Sequence, residues 1–361
     1  MKVLVLANFG MGLYKFRKEL LEELISRGDE VVIALPNDNL YVPKLRAMGC
    51  EFIDTNVDRR GTNPASDLIL LISYISILKN VNPDIVLTYT IKPNIYGGIA
   101  CRLMRKPYIV NVTGLGTSVE NKGLMQRIVL NLYKQGLRKA KSVFFQNRSN
   151  MDYFLSNKLV NSKVNLIPGS GVNLQQNAYQ NYPDVNEKVN FLFVGRIMKA
   201  KGINELLEAA QYFKHRNLNV SFNIVGPSEE GYADKLNDLN DKGIINYYGQ
   251  RSDIQEFMKK AHAIILPSYH EGTSNVLLES AATGRPVLAS NIPGCKETFD
   301  EGVSGLGFKA KDVASLIETI NDFIELPHKQ KKDMGVAARN KMEKEYDRQI
   351  VIQSYLNEIG S

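Results

Sequence analysis

The feature that most constrains this chain is a rhythm of short, almost wholly apolar runs separated by segments of helical periodicity. In the first half the runs are Val3–Ala7, Val31–Leu35, Ile85–Thr88, Tyr108–Val112, Ser142–Gln146 and Val164–Ile167. A strand apolar on both sides has to be covered on both faces, which is how a parallel sheet flanked by helices reads. The rhythm stops at Pro168–Gly171, gives way to the polar stretch Asn173–Lys188, and then restarts. Strands are predicted at Asn190–Val194, Val220–Val225, Ile245–Tyr248, Ala263–Pro267 and Pro286–Ala289, with helices between them. A chain of 361 residues exceeds what a single core usually serves. The expected fold is therefore α/β: two doubly wound, Rossmann-like domains at 1–172 and 173–345, facing a central cleft. A last helical segment within 346–361 is free to pack back on the first domain. In such sheets, ligands bind beyond the carboxyl ends of the strands.

Composition removes several classes. With 44% hydrophobic and 23% charged residues, the chain reads as soluble and globular. Its three cysteines, Cys50, Cys101 and Cys295, are odd in number and far apart, against a disulfide framework or a zinc site and for a reducing cytoplasm. The longest nearly apolar run, Leu68 to Leu78, falls short of the roughly 18–20 residues that span a bilayer, so no crossing is expected. Charge is uneven: residues 1–175 carry 23 Lys and Arg against 13 acids (+10), and residues 176–361 carry 22 against 25 (−3). A basic half points to an anionic partner: nucleic acid, a phosphorylated substrate or an anionic membrane leaflet. Interleaved aromatics and nucleic-acid motifs are lacking, so nucleic acid is not the expected partner.

The chemistry concentrates in the second half. Glu271 and Glu279 flank a loop-to-helix junction that contains Gly272, Thr273, Ser274, Asn275 and Val276. Carboxylates accept well from paired sugar hydroxyls, which suits Glu279 to a ribose and Glu271 to a transferred sugar. The amides of Thr273, Ser274 and Asn275 are placed to donate to phosphate or sugar oxygens. Upstream, Arg196 and Lys201 follow a strand and are bracketed by Gly195 and Gly202, and a guanidinium with an ammonium there makes a diphosphate site. The blander readings are solvated surface charge for the cations and a helix-capping acid for Glu279. The capping box needs Ser or Thr three residues earlier, where Val276 stands. In the first half, Gly10 and Gly12 lie where a dinucleotide fold places its phosphate loop, but Lys15 replaces the third glycine. A tight turn needing positive φ is the competing account of that pair.

With these residues in view, the chain resembles family 4 of the retaining glycosyltransferases, which have the GT-B fold. The matching elements are the Val-Gly-Arg-x4-Lys-Gly run from Val194 to Gly202, Gly226, Gly249–Asp253, the run Leu266–Gly272, Glu279–Gly284 and Gly305. Two further runs, Tyr89–Asn94 and Asn111–Gly116, are similar to enzymes of capsule, O-antigen and N-linked glycan assembly that act on polyprenyl-diphosphate sugars. The resemblance implies that Arg196 and Lys201 neutralise the donor diphosphate, Glu279 holds the ribose, Glu271 holds the sugar, and residues near Arg251 border the base. One departure stands out: many relatives carry a histidine near Thr113-Gly114 that faces the donor sugar, whereas all four histidines here lie in the second half.

The expectation is thus a retaining transferase moving a hexose or N-acetylhexosamine from a UDP-sugar to a lipid-diphosphate-linked saccharide. Catalysis would rest on Arg196, Lys201 and Glu271, with Glu279, Gly272–Val276, Gly226, Arg251, Gly10 and Gly12 binding the donor. Lys15, Arg17, Lys92, Thr113 and Gly114 would meet the acceptor. No metal or cofactor is expected, since the UDP-sugar is a substrate. The protein would be cytoplasmic, drawn to the anionic inner face of the plasma membrane by Lys15, Arg17 and Lys18. A nucleotide-sugar epimerase and a non-catalytic binding module are the alternatives.

Overall fold

The computed structural model describes residues 1–55, 63–114, 123–184 and 188–360. Two compact units divide the chain: residues 1–170 together with those from Gln349 onward, and Gly171–Arg348.

In the first unit, β1 (Lys2–Leu6), β2 (Glu30–Leu35), β3 (Glu51–Asp54), β4 (Ile85–Tyr89), β5 (Tyr108–Val112), β6 (Ser142–Phe145) and β7 (Lys163–Leu166) form one parallel sheet. Its order is β3-β2-β1-β4-β5-β6-β7, so the direction of winding reverses beside β1, where Val3 faces Val31 on one side and Ile85 on the other. Successive residues of β1 bury to opposite faces, as a strand's period of two requires. Val3 and Val5 join the core under α1 (Gly10–Ser26), while Leu4 and Leu6 join the core under α3 (Pro64–Val81), α4 (Gly98–Leu103) and α5 (Leu124–Leu137). Between these helices lie α2 (Val42–Ala47) and, after α5, α6 (Arg148–Ser156). Two helix starts follow side-chain capping. The Asn63 side chain accepts from the Ala65 amide at 3.0 Å to open α3, and that of Asn147 accepts from Asn150 at 2.8 Å to open α6.

The second unit repeats the plan with β8 (Val189–Val194), β9 (Val220–Val225), β10 (Asn246–Tyr247), β11 (Ala263–Leu266), β12 (Val287–Ser290) and β13 (Gly305–Phe308), in the parallel order β10-β9-β8-β11-β12-β13. Its helices are α7 (Ile203–His215), α8 (Ala233–Asp241), α9 (Ile254–Lys260), α10 (Asn275–Ala282), α11 (Val313–Glu325) and α12 (His328–Lys341). The winding again reverses beside the central strand, here β8 between β9 and β11. A final helix, α13 (Arg348–Gly360), lays Val351, Ile352, Tyr355 and Ile359 into the α1-side core of the first unit.

Two strands were not apparent in the sequence. β3 is an edge strand with Glu51 and Asp54 exposed, so it lacks an apolar run. β13 reads Gly-Leu-Gly-Phe because a Cβ at Gly305 would lie 2.5 Å from the Val287 carbonyl. The apolar segment of the first unit is also longer than its central run. α3 has 18 residues of mean hydropathy 1.3, long and apolar enough by length and composition to cross a bilayer. The run Leu68–Leu78 is thus the centre of a longer apolar helix. In this fold, however, α3 packs Leu70, Tyr74, Ile77 and Leu78 against the sheet.

Candidate functional site

The candidate residues of the second unit all follow the carboxyl ends of its strands, and main-chain bonds join the loops that carry them. The loop after β8 is tied to the loop after β9 by Gly195 N–H donating to the Val225 carbonyl (3.0 Å) and Ile197 N–H donating to Pro227 (2.9 Å). Gly226 N–H donates to Gly249 after β10 (2.8 Å), and Tyr269 N–H after β11 donates to Ala200 (2.9 Å). Ser274 N–H in turn donates to Gly294 after β12 (2.9 Å). Three of these crossings need glycine. Gly202 (φ +68°) would put a Cβ 1.9 Å from the Pro267 carbonyl oxygen, Gly226 (φ +149°) 1.8 Å from that of Gly195, and Gly294 (φ +84°) 2.6 Å from those of Glu271 and Gly272. Only a residue without a side chain lets the backbones approach this closely.

Within this continuous rim, the structure brings Lys201 and Glu271 together, 70 positions apart in sequence. Lys201 Nζ donates to Glu271 Oε1 at 2.5 Å, and Ser268 Oγ donates to the same oxygen at 2.8 Å. Both charged side chains are largely covered, at 23% and 13% exposure, so the pair is screened less than a surface pair. Behind it lies Cys295, fully buried, its thiol pushed well up by burial and further by the Glu271 charge. Arg196 is placed differently. Its guanidinium is half exposed and reaches Glu229 at 3.3 Å. An exposed pair of this kind is worth about 0.2–1 kcal/mol.

The start of α10 differs in one detail from what the sequence implied. The Ser274 amide is already taken by Gly294, so it does not face a ligand. The first-turn amides of Asn275, Val276 and Leu277 have no carbonyl partner within the helix and carry its positive end. The Asn275 Oδ1 atom is buried without a hydrogen-bond partner. Gly272, Thr273 and Glu279 are half-buried, the last in the second turn of α10. Arg251 is bound at both ends of its guanidinium by Asp253, at 2.9 and 2.8 Å. It lines a cavity of about 390 Å³ whose floor, Asn190, Leu192 and Asn223, lies inside the strands rather than at their ends. Ser268, Leu277 and Gly294 were missed because a hydroxyl, an apolar residue and a lone glycine carry no signal until the loops are placed.

In the first unit, Gly10 and Gly12 open α1 rather than a loop, and neither has positive φ. Their missing side chains make room for the Asp38 carboxylate, 2.3 Å from a Gly10 Cβ, and for the Phe9 ring, 2.6 Å from a Gly12 Cβ. Arg17 corrects its expected role. It is 4% exposed, with its guanidinium 5.1 Å from the Tyr89 ring and 6.0 Å from that of Tyr355, because an arginine on the inner face of α1 is covered by α13. Lys15 is exposed, whereas Lys18 pairs with Glu22 at 3.4 Å. Lys92 follows β4 and pairs with Asp67 of α3 at 2.8 Å. Thr90 beside it holds φ +74°, a strained value for a β-branched residue. In the two runs that resemble lipid-linked sugar transferases, Asn94 and Asn111 are buried struts: Asn94 donates to the Asn111 carbonyl (2.7 Å) and Asn111 to Tyr355 (2.6 Å). Thr113 and Gly114 remain half-buried at the end of β5, while Leu115 and Gly116 lie outside the described residues.

Comparison with known proteins gives a consistent result. The family profile described as glycosyl transferase 4-like matches residues 2–147, and that of glycosyl transferases group 1 matches residues 176–341. An N,N'-diacetylbacillosaminyl-diphospho-undecaprenol alpha-1,3-N-acetylgalactosaminyltransferase of Campylobacter jejuni is 28% identical over 99% of this chain and 97% of its own. A UDP-Gal:alpha-D-GlcNAc-diphosphoundecaprenol alpha-1,3-galactosyltransferase of Escherichia coli is 29% identical over 72% of this chain and 71% of its own. Among solved structures, Anabaena Alr3699/HepE in complex with UDP-glucose superposes with a TM-score of 0.81 at 19% identity, over 100% of this chain and 99% of that one. The fold is GT-B. The two profiles cover both units in order, and the chain belongs to the group 1, family 4-like glycosyltransferases.

Proposed function

We propose that this glycosyltransferase moves a hexose or N-acetylhexosamine from a UDP-sugar to a saccharide carried on a lipid diphosphate, with retention of anomeric configuration. The observation that carries the reading is the Lys201–Glu271 contact at the mouth of α10. An ammonium has three donors, and one of them is spent on Glu271. The others suit the leaving diphosphate, whose growing charge is the main electrostatic demand of the step. Arg196 adds a second cation by releasing Glu229, and the first-turn amides of α10 supply the helix's positive end. Glu271 is placed for the hydroxyls of the transferred sugar and Glu279 for those of the ribose.

The bond from the anomeric carbon to the β-phosphate oxygen breaks with its electron pair going to the diphosphate. The acceptor hydroxyl oxygen bonds the same face of that carbon, and its proton passes to the departing phosphate. No protein base is required, and no metal or resident cofactor is needed to balance the charge. Support for the acceptor comes from the Campylobacter and Escherichia relatives, whose names specify diphospho-undecaprenol sugars. Such an acceptor places the enzyme at the anionic cytoplasmic face of a membrane, and the +10 charge of residues 1–175 fits that surface.

The test is incubation with UDP-N-acetylgalactosamine, UDP-galactose, UDP-N-acetylglucosamine or UDP-glucose and a synthetic polyprenyl-diphosphate saccharide. One donor is expected to give an α-linked product of higher mass and free UDP. Release of a free sugar epimer without acceptor would instead identify an epimerase.

A further inference from the structure

α3 is an apolar helix left on the surface. Only 22% of its 18 residues are buried, and Leu68, Ile69 and Ile72 are 57%, 65% and 58% exposed. An ordinary sheet-covering helix presents polar residues outward, so this outer face lacks the expected pattern. On the same side of the sheet, α4 and α5 leave Leu103 (58% exposed) and Ile128 (45%) uncovered as well. Charge on this layer is one-sided. α3, α4 and α5, each with the turn that leaves it, carry nine Lys or Arg: one, three and five on the three segments. The acids on these segments are Asp67, which Lys92 holds at 2.8 Å, and Asp84, which accepts from the Lys2 amide at 2.7 Å. Arg105, Arg127, Lys134, Arg138 and Lys139 are exposed. On the first helix, Arg17 is buried and Lys18 is paired with Glu22, so of its three expected membrane cations Lys15 is the exposed one.

We infer that the α3–α4–α5 face is the surface by which the first unit docks on an anionic bilayer. Leu68, Ile69 and Ile72 enter the boundary between headgroups and acyl chains, and the surrounding cations meet the lipid phosphates. Charge decides for a bilayer over a second copy of the chain: two copies of a face this basic repel one another, whereas an anionic leaflet neutralises it. Leu68 stands next to Asp67, whose partner Lys92 follows β4, so the docking face borders the end of the sheet where Lys92, Thr113 and Gly114 stand. The purpose of the docking rests on the lipid-linked acceptor proposed above.

The experiment is flotation of the full chain with phosphatidylglycerol-containing vesicles and with pure phosphatidylcholine vesicles. The wild type is expected to float with the anionic vesicles and to lose binding as salt rises. The double variant Leu68→Glu/Ile72→Glu is expected to bind at least about tenfold more weakly. Leu68→Ser/Ile72→Ser serves where the charged pair impairs folding, and the melting temperature of each variant is matched to wild type first. Absence of wild-type flotation, equal flotation of a folded variant, or a wild-type dimer that the variants dissolve would each overturn the inference. Transfer to a short-chain, water-soluble lipid-diphosphate acceptor separates the two proposals. Flotation without any transfer sinks the acceptor reading alone, and transfer without flotation sinks the docking face alone.

Discussion

Lys201 and Glu271 are held together by backbone approaches that tolerate no side chain, which makes the site sensitive at residues that never touch a ligand. Removing one stabiliser of developing charge typically costs on the order of 10²–10³ in rate. Lys201→Ala is therefore expected to lower kcat by that factor, and Arg196→Ala to do the same with little change in folding; near-normal turnover in either would dismiss that cation. Gly202→Ala should act through structure instead. Its φ of +68° alone costs roughly 1–3 kcal/mol, and the methyl must also push Pro267 away and with it the Glu271 loop. A drop in melting temperature together with lost activity is the expected result, and an unchanged melting temperature would contradict the geometry. Legibility at this scale was uneven. Arg196, Lys201 and Glu271 stood out because each is a charge beside a glycine just after a strand, and the structure brings the last two into contact. Arg17 misled because only its position on the inner face of α1, beneath Tyr355, shows that it is interior.

Elements in the second unit are joined by buried polar groups that no periodicity reveals. Arg285 follows α10 with no exposure and, among the described residues, no carboxylate partner. Its guanidinium instead donates to the carbonyls of Met258, Lys259, Gln180, Asn181, Thr283 and Gly284 at 2.8–3.2 Å, and burial draws its pKa down to about 10. It thereby closes the open carboxyl ends of α9 and α10 on the polar segment that enters the unit. His262 does similar work between α9 and β8. Its Nδ1 accepts from the Asn190 amide at 3.1 Å, and burial lowers its pKa from 6.5 to about 4. The sign follows from the depressed value: above pH 6.5 neither folded nor unfolded histidine is charged. Below it the unfolded chain gains a proton that the native state refuses until about pH 4. The loss grows across that window to about 3 kcal/mol. Denaturant midpoints should fall between pH 6.5 and 4, and His262→Asn should flatten that part of the curve even if it is weaker at pH 8. An unaltered slope would mean that His262 is protonated in the fold. The strands were legible because their apolar runs are almost continuous, and only β3 and β13 escaped, one for its acids and the other for its glycines.

At the scale of the whole molecule, the chain leaves its first unit after Ser170, builds the second, and returns at Gln349. The sequence announced the two sheets through the restart of their rhythm at Asn190, but the docking of α13 needed the structure, since its apolar positions fit many partners. Tyr355 is buried among Phe144, Tyr89 and Arg17, with ring centroids 4.5 and 6.1 Å away, and its hydroxyl accepts from Asn111. Removing a helix that fills a core leaves a void with few substitutes. A chain ending at Arg348 is expected to show two separate calorimetric transitions, the first unit melting well below the second, whose own core does not involve residues 349–360. A single unshifted transition would refute that assignment. The same connectivity bears on synthesis. Domains usually fold as they leave the ribosome, amino-terminal first. Here the first-made half must wait, its α1-side core open, while the later-made half completes, so the nascent protein's greatest hazard of aggregation falls in its oldest residues. A premature stop near the end would spare the second unit and ruin the first.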